Sequence, residues 1–490
     1  MVYISCSFYF FIVILLVLYY IVPLRFRWWI LLAGSLCFFC KIDPKGFGVF
    51  LSTALASYLM GLLLGNSRYF PATRNLDPVK DYRYKLCLFL SIAIVAIPLL
   101  VTKNANFVLD QIHKPRYENW IIPLGISFYT LQMISYLVDV YNKKIEPQKN
   151  PFKYLLFVSF FPQIVQGPIP RYDQLKVQLF EGHRFHEKNF VKGLHLIIWG
   201  FFLKFMLADR AGIVVNAVFD NFPAYRGGYV FYAGILYSIQ LYTDFLACVV
   251  LSQGTAALFG IELQDNFRHP YKARSIKEFW RRWHITLSSW LRDYIYIPLG
   301  GNRKGKLLRY INLGITFFVS GLWHGTGYKY VFWGLLHAFY QIVGEITAPV
   351  KNCFYNRVKI PKDSGLQKAI QTIGTFFWVM LAWIIFRADS LKTGIVMIKS
   401  MFITYNPWIF FDDSLFNLGL SWKESFVLLL SVGILFFVEK KQEAGSIRDW
   451  ILEQNIVVRW TIYLAAICGI VILGAYGYGF NSQDFIYGGF

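Results

Sequence analysis

Two histidines stand inside apolar sequence: His324 in Val319-Ser-Gly-Leu-Trp-His-Gly-Thr-Gly327, and His337 in Trp333-Gly-Leu-Leu-His-Ala-Phe-Tyr340. A neutral imidazole takes the proton of a hydroxyl as that hydroxyl attacks a carbonyl, so both positions fit general-base chemistry. An ionised group at membrane depth costs roughly 2.5–3.5 kcal/mol on insertion scales, which marks such residues as functional by default. The plainer reading is a neutral histidine bonded across two helices. Gly321, Gly325 and Gly327 let other groups approach His324 closely and favour function there. For His337 both readings stand. His113, His183, His186 and His269 lie in polar connecting stretches and His195 opens an apolar run, so these five read as surface or interfacial groups.

Charge enters apolar sequence at two further places. Asp244 lies in Gln240-Leu-Tyr-Thr-Asp-Phe245, where a buried carboxylate needs a partner. Lys204, in Phe201-Phe-Leu-Lys-Phe205, reads as a lysine snorkelling to the headgroups. The stretch Arg268–Arg309 carries eleven Lys and Arg against Glu278 and Asp293, interleaved with Trp280, Trp283, Trp290, Tyr294 and Tyr296. That mixture suits helices lying in the headgroup layer. None of the seven cysteines sits in a metal-ligand pattern; Cys37 and Cys40 have redox spacing but lie in an apolar run with no histidine nearby. No disulfide and no structural metal are expected.

The composition sets the medium in which these groups work. Of 490 residues, 56% are hydrophobic and 16% charged, with a mean hydropathy of +0.44. Soluble domains run near 45–50% apolar and about 25% charged, so a soluble protein is excluded. Aromatic residues reach 19%, and Tyr and Trp favour membrane–water boundaries. The net charge of +21 fits cytoplasmic loops that meet anionic lipid, and no basic stretch outside the hydrophobic framework invites nucleic acid.

Hydropathy predicts an all-α, polytopic protein with about 10–13 spans plus re-entrant and interfacial helices. Spans are expected near Ile4–Val22, Trp28–Phe39, Phe47–Leu64, Leu86–Val101 and Trp120–Tyr141. Phe157–Val165 is too short to cross, and Gly167-Pro168-Ile169-Pro170 breaks it, so this stretch reads as re-entrant. Apolar runs resume at Leu194–Leu207, Val230–Phe259, Ile311–Leu322 and Tyr330–Ile346. Ile370–Phe386, Phe426–Val438 and Thr461–Tyr478 then alternate with basic loops, which the positive-inside rule assigns to the cytoplasm. With no signal-peptide pattern, linker or repeat, residues 1–490 read as one membrane domain, with a motif-bearing core at 120–345 and C-terminal helices plus an external tail at 346–490.

Glu278-Phe-Trp-Arg-Arg-Trp-His-Ile-Thr-Leu-Ser-Ser-Trp-Leu-Arg-Asp-Tyr-Ile-Tyr-Ile-Pro-Leu-Gly-Gly301 closely resembles the signature of membrane-bound O-acyltransferases, as does Ser320-Gly-Leu-Trp-His-Gly with His337 thirteen residues after His324. Asn266-Phe-Arg-His-Pro-Tyr271, Phe160-Phe-Pro-Gln-Ile-Val-Gln-Gly-Pro168 and Pro123-Leu-Gly-Ile-Ser-Phe-Tyr129 fit the bacterial branch that includes alginate O-acetyltransferases and teichoic-acid D-alanyl transferases. The Asp244 stretch departs from that branch at Thr243 and Leu246. The resemblance implies transfer of an acyl group, acetyl in the first instance, from a cytoplasmic thioester to an extracytoplasmic polysaccharide or cell-wall glycan. D-alanyl transfer to teichoic acid is the alternative within the family, and transport of a lipid-linked precursor the alternative outside it. It implies His324 as catalytic, His337 as a second site histidine, and Asp244 and Trp323 as supporting residues. Arg281, Arg282, Trp283 and His284 are the expected donor-binding group, the arginines serving equally well as headgroup contacts. The donor, a coenzyme A thioester or an acyl-carrier protein, is a substrate; no cofactor is expected. The expected partners are membrane lipids and a secreted acyltransferase at the bacterial inner membrane. The tail Asn481-Ser-Gln-Asp-Phe-Ile-Tyr-Gly-Gly-Phe490 resembles an aromatic-Tyr-x-x-Phe motif of this branch, which makes Tyr487 either an acyl carrier or an interfacial anchor.

Overall fold

In a computed structural model, which describes residues 3–66, 82–117 and 120–476, helices carry the chain and no strand forms among the described residues. In order they are α1 Cys6–Ile21, α2 Arg27–Ile42, α3 Pro44–Gly65, α4 Tyr82–Gln111, α5 Ile126–Tyr141, α6 Pro151–Ser159 and α7 Tyr172–Phe180. Then follow α8 Glu187–Phe201, α9 Asp209–Phe219, α10 Gly228–Leu258, α11 Ile276–Arg282, α12 Ile285–Leu291, α13 Lys306–His324 and α14 Tyr328–Ile346. The chain continues through α15 Ala348–Arg357, α16 Gly365–Arg387, α17 Leu391–Ile403, α18 Trp422–Ala444, α19 Ile447–Glu453 and α20 Ile456–Leu473. Local signals set many of the starts. Ser5, Asp43, Asn150, Ser275, Ser364 and Asn455 each accept a first-turn backbone N–H, and Pro44 and Pro151 open their helices where no donor is missed.

Among the described residues six helical stretches are long and apolar enough to cross a bilayer: Pro44–Gly65, Tyr82–Gln111, Glu187–Phe219, Gly228–Leu258, Gly365–Arg387 and Ile456–Leu473. This is an all-α polytopic membrane protein. Of these six, α10 is the most deeply packed, with 83% of its apolar window buried, whereas α20 buries 6%. The 19-residue helices α13 and α14 and the 16-residue α1 and α2 fall outside the six.

Two sequence expectations change in detail. The run from Trp120 becomes helical only at Ile126, because Gly125 takes a left-handed turn (φ 68°) so close to the next segment that a Cβ there would lie 2.1 Å from the Ile164 carbonyl oxygen. Leu194–Leu207 is part of a longer apolar stretch, in which a π-helical segment, Phe202–Ala208, joins α8 to α9. The segment after α6 leaves the helical path and stays buried through Arg171. Protein groups satisfy its backbone: Tyr3 Oη donates to the Phe161 and Pro162 carbonyls (3.0 Å each), and Ser35 Oγ accepts from Phe161 N–H (3.2 Å). Non-helical chain at membrane depth needs such cover.

The chain shows no linker, yet it divides into two compact units, one holding residues 3–194 and 252–264, the other residues 195–251 and 265–476. The first holds α1 to α7 with the start of α8 and the end of α10. The second holds α11 to α20 and both apolar-sequence histidines.

In the second unit Lys204 does not snorkel. It is 1% exposed, and its Nζ lies 2.8 Å from Asp209 Oδ1 and 2.8 Å from Asp244 Oδ1. An isolated ammonium in apolar surroundings is prohibitive, and two carboxylates close at hand make it tolerable. Lys204 lies within the π-helical turn and Asp209 directly follows it; the altered register frees the Phe205 carbonyl to accept from Ala475 N–H (3.0 Å) just beyond α20.

Candidate active site

Helices α13 and α14 form the frame. Gly321 and Gly334 face each other where they cross: a Cβ on Gly321 would lie 2.4 Å from the Tyr330 carbonyl oxygen, and one on Gly334 2.2 Å from that of Phe317. Only glycine permits this approach, which is the small-residue packing of membrane helices. The turn between them runs through Gly325 and Gly327, the latter at φ 98°. His324 is the last residue of α13, and His337 lies within α14.

Both imidazoles are buried, at 2% and 0% exposure, in a box of aromatic rings. His324 packs edge-on against Trp323 (4.9 Å between ring centroids), Trp333 (4.9 Å) and Phe386 (5.7 Å). His337 packs against Trp280 (5.0 Å), Trp333 (5.0 Å) and Trp383 (5.9 Å). Trp333 touches both histidines, so their rings lie within about 10 Å of each other across one shared indole.

Hydrogen bonds fix the proton on two of the site's rings. Trp280 Nε1–H donates to His337 Nδ1 (3.2 Å). An indole nitrogen is only a donor, so Nδ1 is the acceptor and the proton of neutral His337 sits on Nε2. At His284 the order is reversed. Asn266 Oδ1 accepts from the Thr286 backbone N–H (3.1 Å) and Thr286 Oγ1 (2.7 Å), which identifies it as oxygen, and His284 Nδ1 donates to it (3.2 Å). His284 therefore presents a bare Nε2. Its ring packs 5.9 Å from Trp323, and burial pushes its pKa down to about 3. His337 Nε2 and Trp333 Nε1 meet no acceptor among the described residues, although both side chains are fully buried. A buried polar group left unpaired costs about 1–3 kcal/mol.

The sequence-derived donor group separates into two layers. Arg281 is exposed, while Arg282 is half-buried and bonded through Nε and Nη2 to Glu278 Oε1 (3.0 and 2.8 Å). Trp283 and His284 lie beneath them in the packed interior, at 1% and 0% exposure, rather than on the basic surface. Trp323 belongs to the His324 box, and Asp244 to the Lys204 cluster. Tyr487 lies outside the described residues. Three histidines read as surface or interfacial groups are engaged instead: His183 Nε2 bonds the Gln178 carbonyl (2.6 Å), His195 Nε2 bonds Tyr463 Oη (2.8 Å), and His269 Nδ1 lies 3.6 Å from buried Glu439, whose Oε1 accepts from Tyr242 Oη (2.7 Å). Sequence reasoning passed over Trp280, Trp333 and Asn266 as site members. Trp333 stands one turn before His337 and Trp280 in the same motif as His284, so helical spacing from each histidine was the available signal. Among the described residues no group of three metal-ligating side chains gathers.

Two buried histidines thus share an aromatic box at the crossing of a glycine-faced helix pair, and comparison with known proteins supplies the class of enzyme. Residues 148–359 match the profile of MBOAT, the membrane-bound O-acyltransferase family. The chain is 32% identical over 406 residues to a probable alginate O-acetylase AlgI of Pseudomonas putida, covering 80% of this chain and 78% of that protein. It is 32% identical over 410 residues to a peptidoglycan O-acetyltransferase of Helicobacter pylori, covering 77% and 74%. A teichoic acid D-alanyltransferase of Bacillus subtilis is 32% identical over 261 residues, 49% of this chain and 64% of that protein. The chain belongs to the membrane-bound O-acyltransferase family and is an O-acyltransferase.

Proposed function

We propose that this enzyme acetylates hydroxyls of an extracytoplasmic envelope glycan, drawing the acyl group from a cytoplasmic thioester across the bacterial inner membrane. The observation that carries the reading is the buried His324 at the end of α13, in an aromatic box that also holds His337. The chemistry is an exchange of an oxygen for a sulfur at the acyl carbon. The acceptor oxygen attacks the thioester carbonyl, and its proton passes to His324. The tetrahedral intermediate collapses, the C–S bond breaks, and His324 returns the proton to the departing thiolate. An ester and a free thiol result, with no net change in protons.

Acetyl is favoured over D-alanyl because similarity to O-acetylating relatives runs through 80% of this chain, against 49% for the D-alanyl transferase. Arg281 supplies exposed positive charge for a phosphorylated donor or acidic carrier protein, with Trp283 and His284 walling the interior behind it. Charge reversal at Arg281 is expected to raise the apparent KM for the donor and leave kcat nearly intact. Tyr487 is the acyl relay between His324 and a secreted partner that loads the glycan; Tyr487→Phe then stops transfer, whereas an anchoring tail keeps it near normal.

The test is mass spectrometry of envelope glycans from cells carrying wild-type protein, His324→Ala, or none. Wild-type protein should add 42 mass units per modified sugar, ~42 being the mass of an acetyl replacing a proton, and equally expressed His324→Ala none. Normal acylation by His324→Ala would sink the assignment of the base. An added D-alanyl mass would move the enzyme to the other branch.

A further inference from the structure

Two adjacent rings of the site carry buried donors for which no acceptor is found among the described residues. His337 Nε2–H and Trp333 Nε1–H belong to rings 5.0 Å apart, are fully enclosed, and find no partner among the described residues. An indole nitrogen only donates. Trp280 holds His337 in the tautomer that makes its free nitrogen a donor as well, and protonation at Nδ1 would set one N–H against another. No protein group among the described residues answers these donors, so the partner they call for is an acceptor oxygen brought by a ligand.

We propose that Trp333 and His337 together form the oxyanion site of this enzyme, donating to the thioester carbonyl oxygen as it gains negative charge, and that Trp280 is the positioning residue that keeps His337 in its donor tautomer. The proposal rests on the acyl-transfer reading and changes none of its atom balance. The carbonyl π pair moves onto oxygen when the acceptor attacks, the two N–H groups bind that oxyanion without giving up their protons, and the pair returns as the C–S bond breaks. His337 is thereby a donor and not a second base. Donors aimed at charge that develops only in the transition state act on kcat rather than on substrate binding.

The experiment follows acetyl transfer from acetyl-coenzyme A in vesicles reconstituted with the purified full-length enzyme, envelope glycan and a secreted-protein extract that supplies the glycan-loading partner. Trp333→Phe keeps the ring and removes the donor; kcat should fall by roughly 10²-fold with donor KM changed little. For His337, glutamine places an amide N–H near the Nε2 position and asparagine near Nδ1. His337→Gln should keep activity within about tenfold of wild type, while His337→Asn falls as far as His337→Ala. In ¹⁵N-histidine-labelled protein, His337 Nδ1 should resonate as an unprotonated nitrogen, and Trp280→Phe should abolish that preference. This measurement needs no turnover and stands even where a variant is inactive. The proposal is overturned by wild-type kcat in Trp333→Phe, by equal loss in His337→Gln and His337→Asn, or by a protonated Nδ1 in the wild type. A wild-type enzyme that transfers nothing, yet shows the expected tautomer, overturns the acyl-transfer reading and with it the oxyanion role, but leaves the Trp280 lock in place.

Discussion

His284 and His337 are both fully buried histidines of one aromatic region, yet each is fixed in the opposite proton arrangement by a single neighbour, Asn266 or Trp280. His337 was legible in the sequence because an ionisable residue within apolar surroundings stands out, and His284 through its place in the family motif. Their proton states were not, since those depend on Asn266, eighteen residues before His284, and Trp280, fifty-seven before His337. The burial of His284 has a measurable consequence. Folded His284 stays neutral down to about pH 3, whereas in the unfolded chain it takes a proton near pH 6.5. Below pH 6.5 the unfolded state binds the extra proton, so stability falls by ~1.4 kcal/mol for each unit of pH until about 3. Detergent-solubilised enzyme should therefore lose melting temperature between pH 6.5 and 5, and His284→Gln should flatten that slope; an equal slope in both would show that other groups set it. Asn266→Ala leaves His284 Nδ1 and Thr286 N–H without their acceptor and should cost about 1–3 kcal/mol at pH 7.5, read as a lower melting temperature.

The helix pair α13 and α14 reaches its closeness through absence of side chain. Its glycines were visible in the sequence as a cluster around His324, but the pairing of Gly321 with the Tyr330 carbonyl and of Gly334 with that of Phe317 emerges only when the helices cross. Gly334→Ala should force them apart at the level of Trp333 and His337. The expected loss is about 1–3 kcal/mol of stability, together with most acyl transfer, seen by thermal unfolding and vesicle assay. Retained activity with a normal melting temperature would mean the helices part there without consequence. The π-helical turn at Phe202–Ala208 was hidden for a different reason. Its sequence is as apolar as its neighbours, and Lys204 alone fitted a snorkelling side chain; the interior position follows from Asp209 and Asp244 closing on it from two helices. Lys204→Met leaves two carboxylates buried without their cation and should cost about 3–5 kcal/mol, whereas adding Asp209→Asn and Asp244→Asn should restore most of the yield of monodisperse protein.

At the scale of the molecule, composition settled the medium and the motifs settled the chemistry, while the division of the chain into two compact units left no mark in the sequence: no linker separates them, and each draws on distant stretches. Sidedness rests on the basic loops. Cys353, exposed on α15, should react with a membrane-impermeant maleimide only in permeabilised cells, and a Tyr405→Cys variant lacking Cys353 should react in intact ones. The reverse labelling would invert the topology. The buried ammonium of Lys204 also carries information about time. Translation delivers Lys204 and, five residues later, Asp209 on the same apolar stretch, so the nascent helix brings its own counter-ion to the bilayer. Asp244 is made forty residues after Lys204. The second carboxylate, on α10, is thus made only after the first pair, and one lysine is divided between a partner made early and a partner made late.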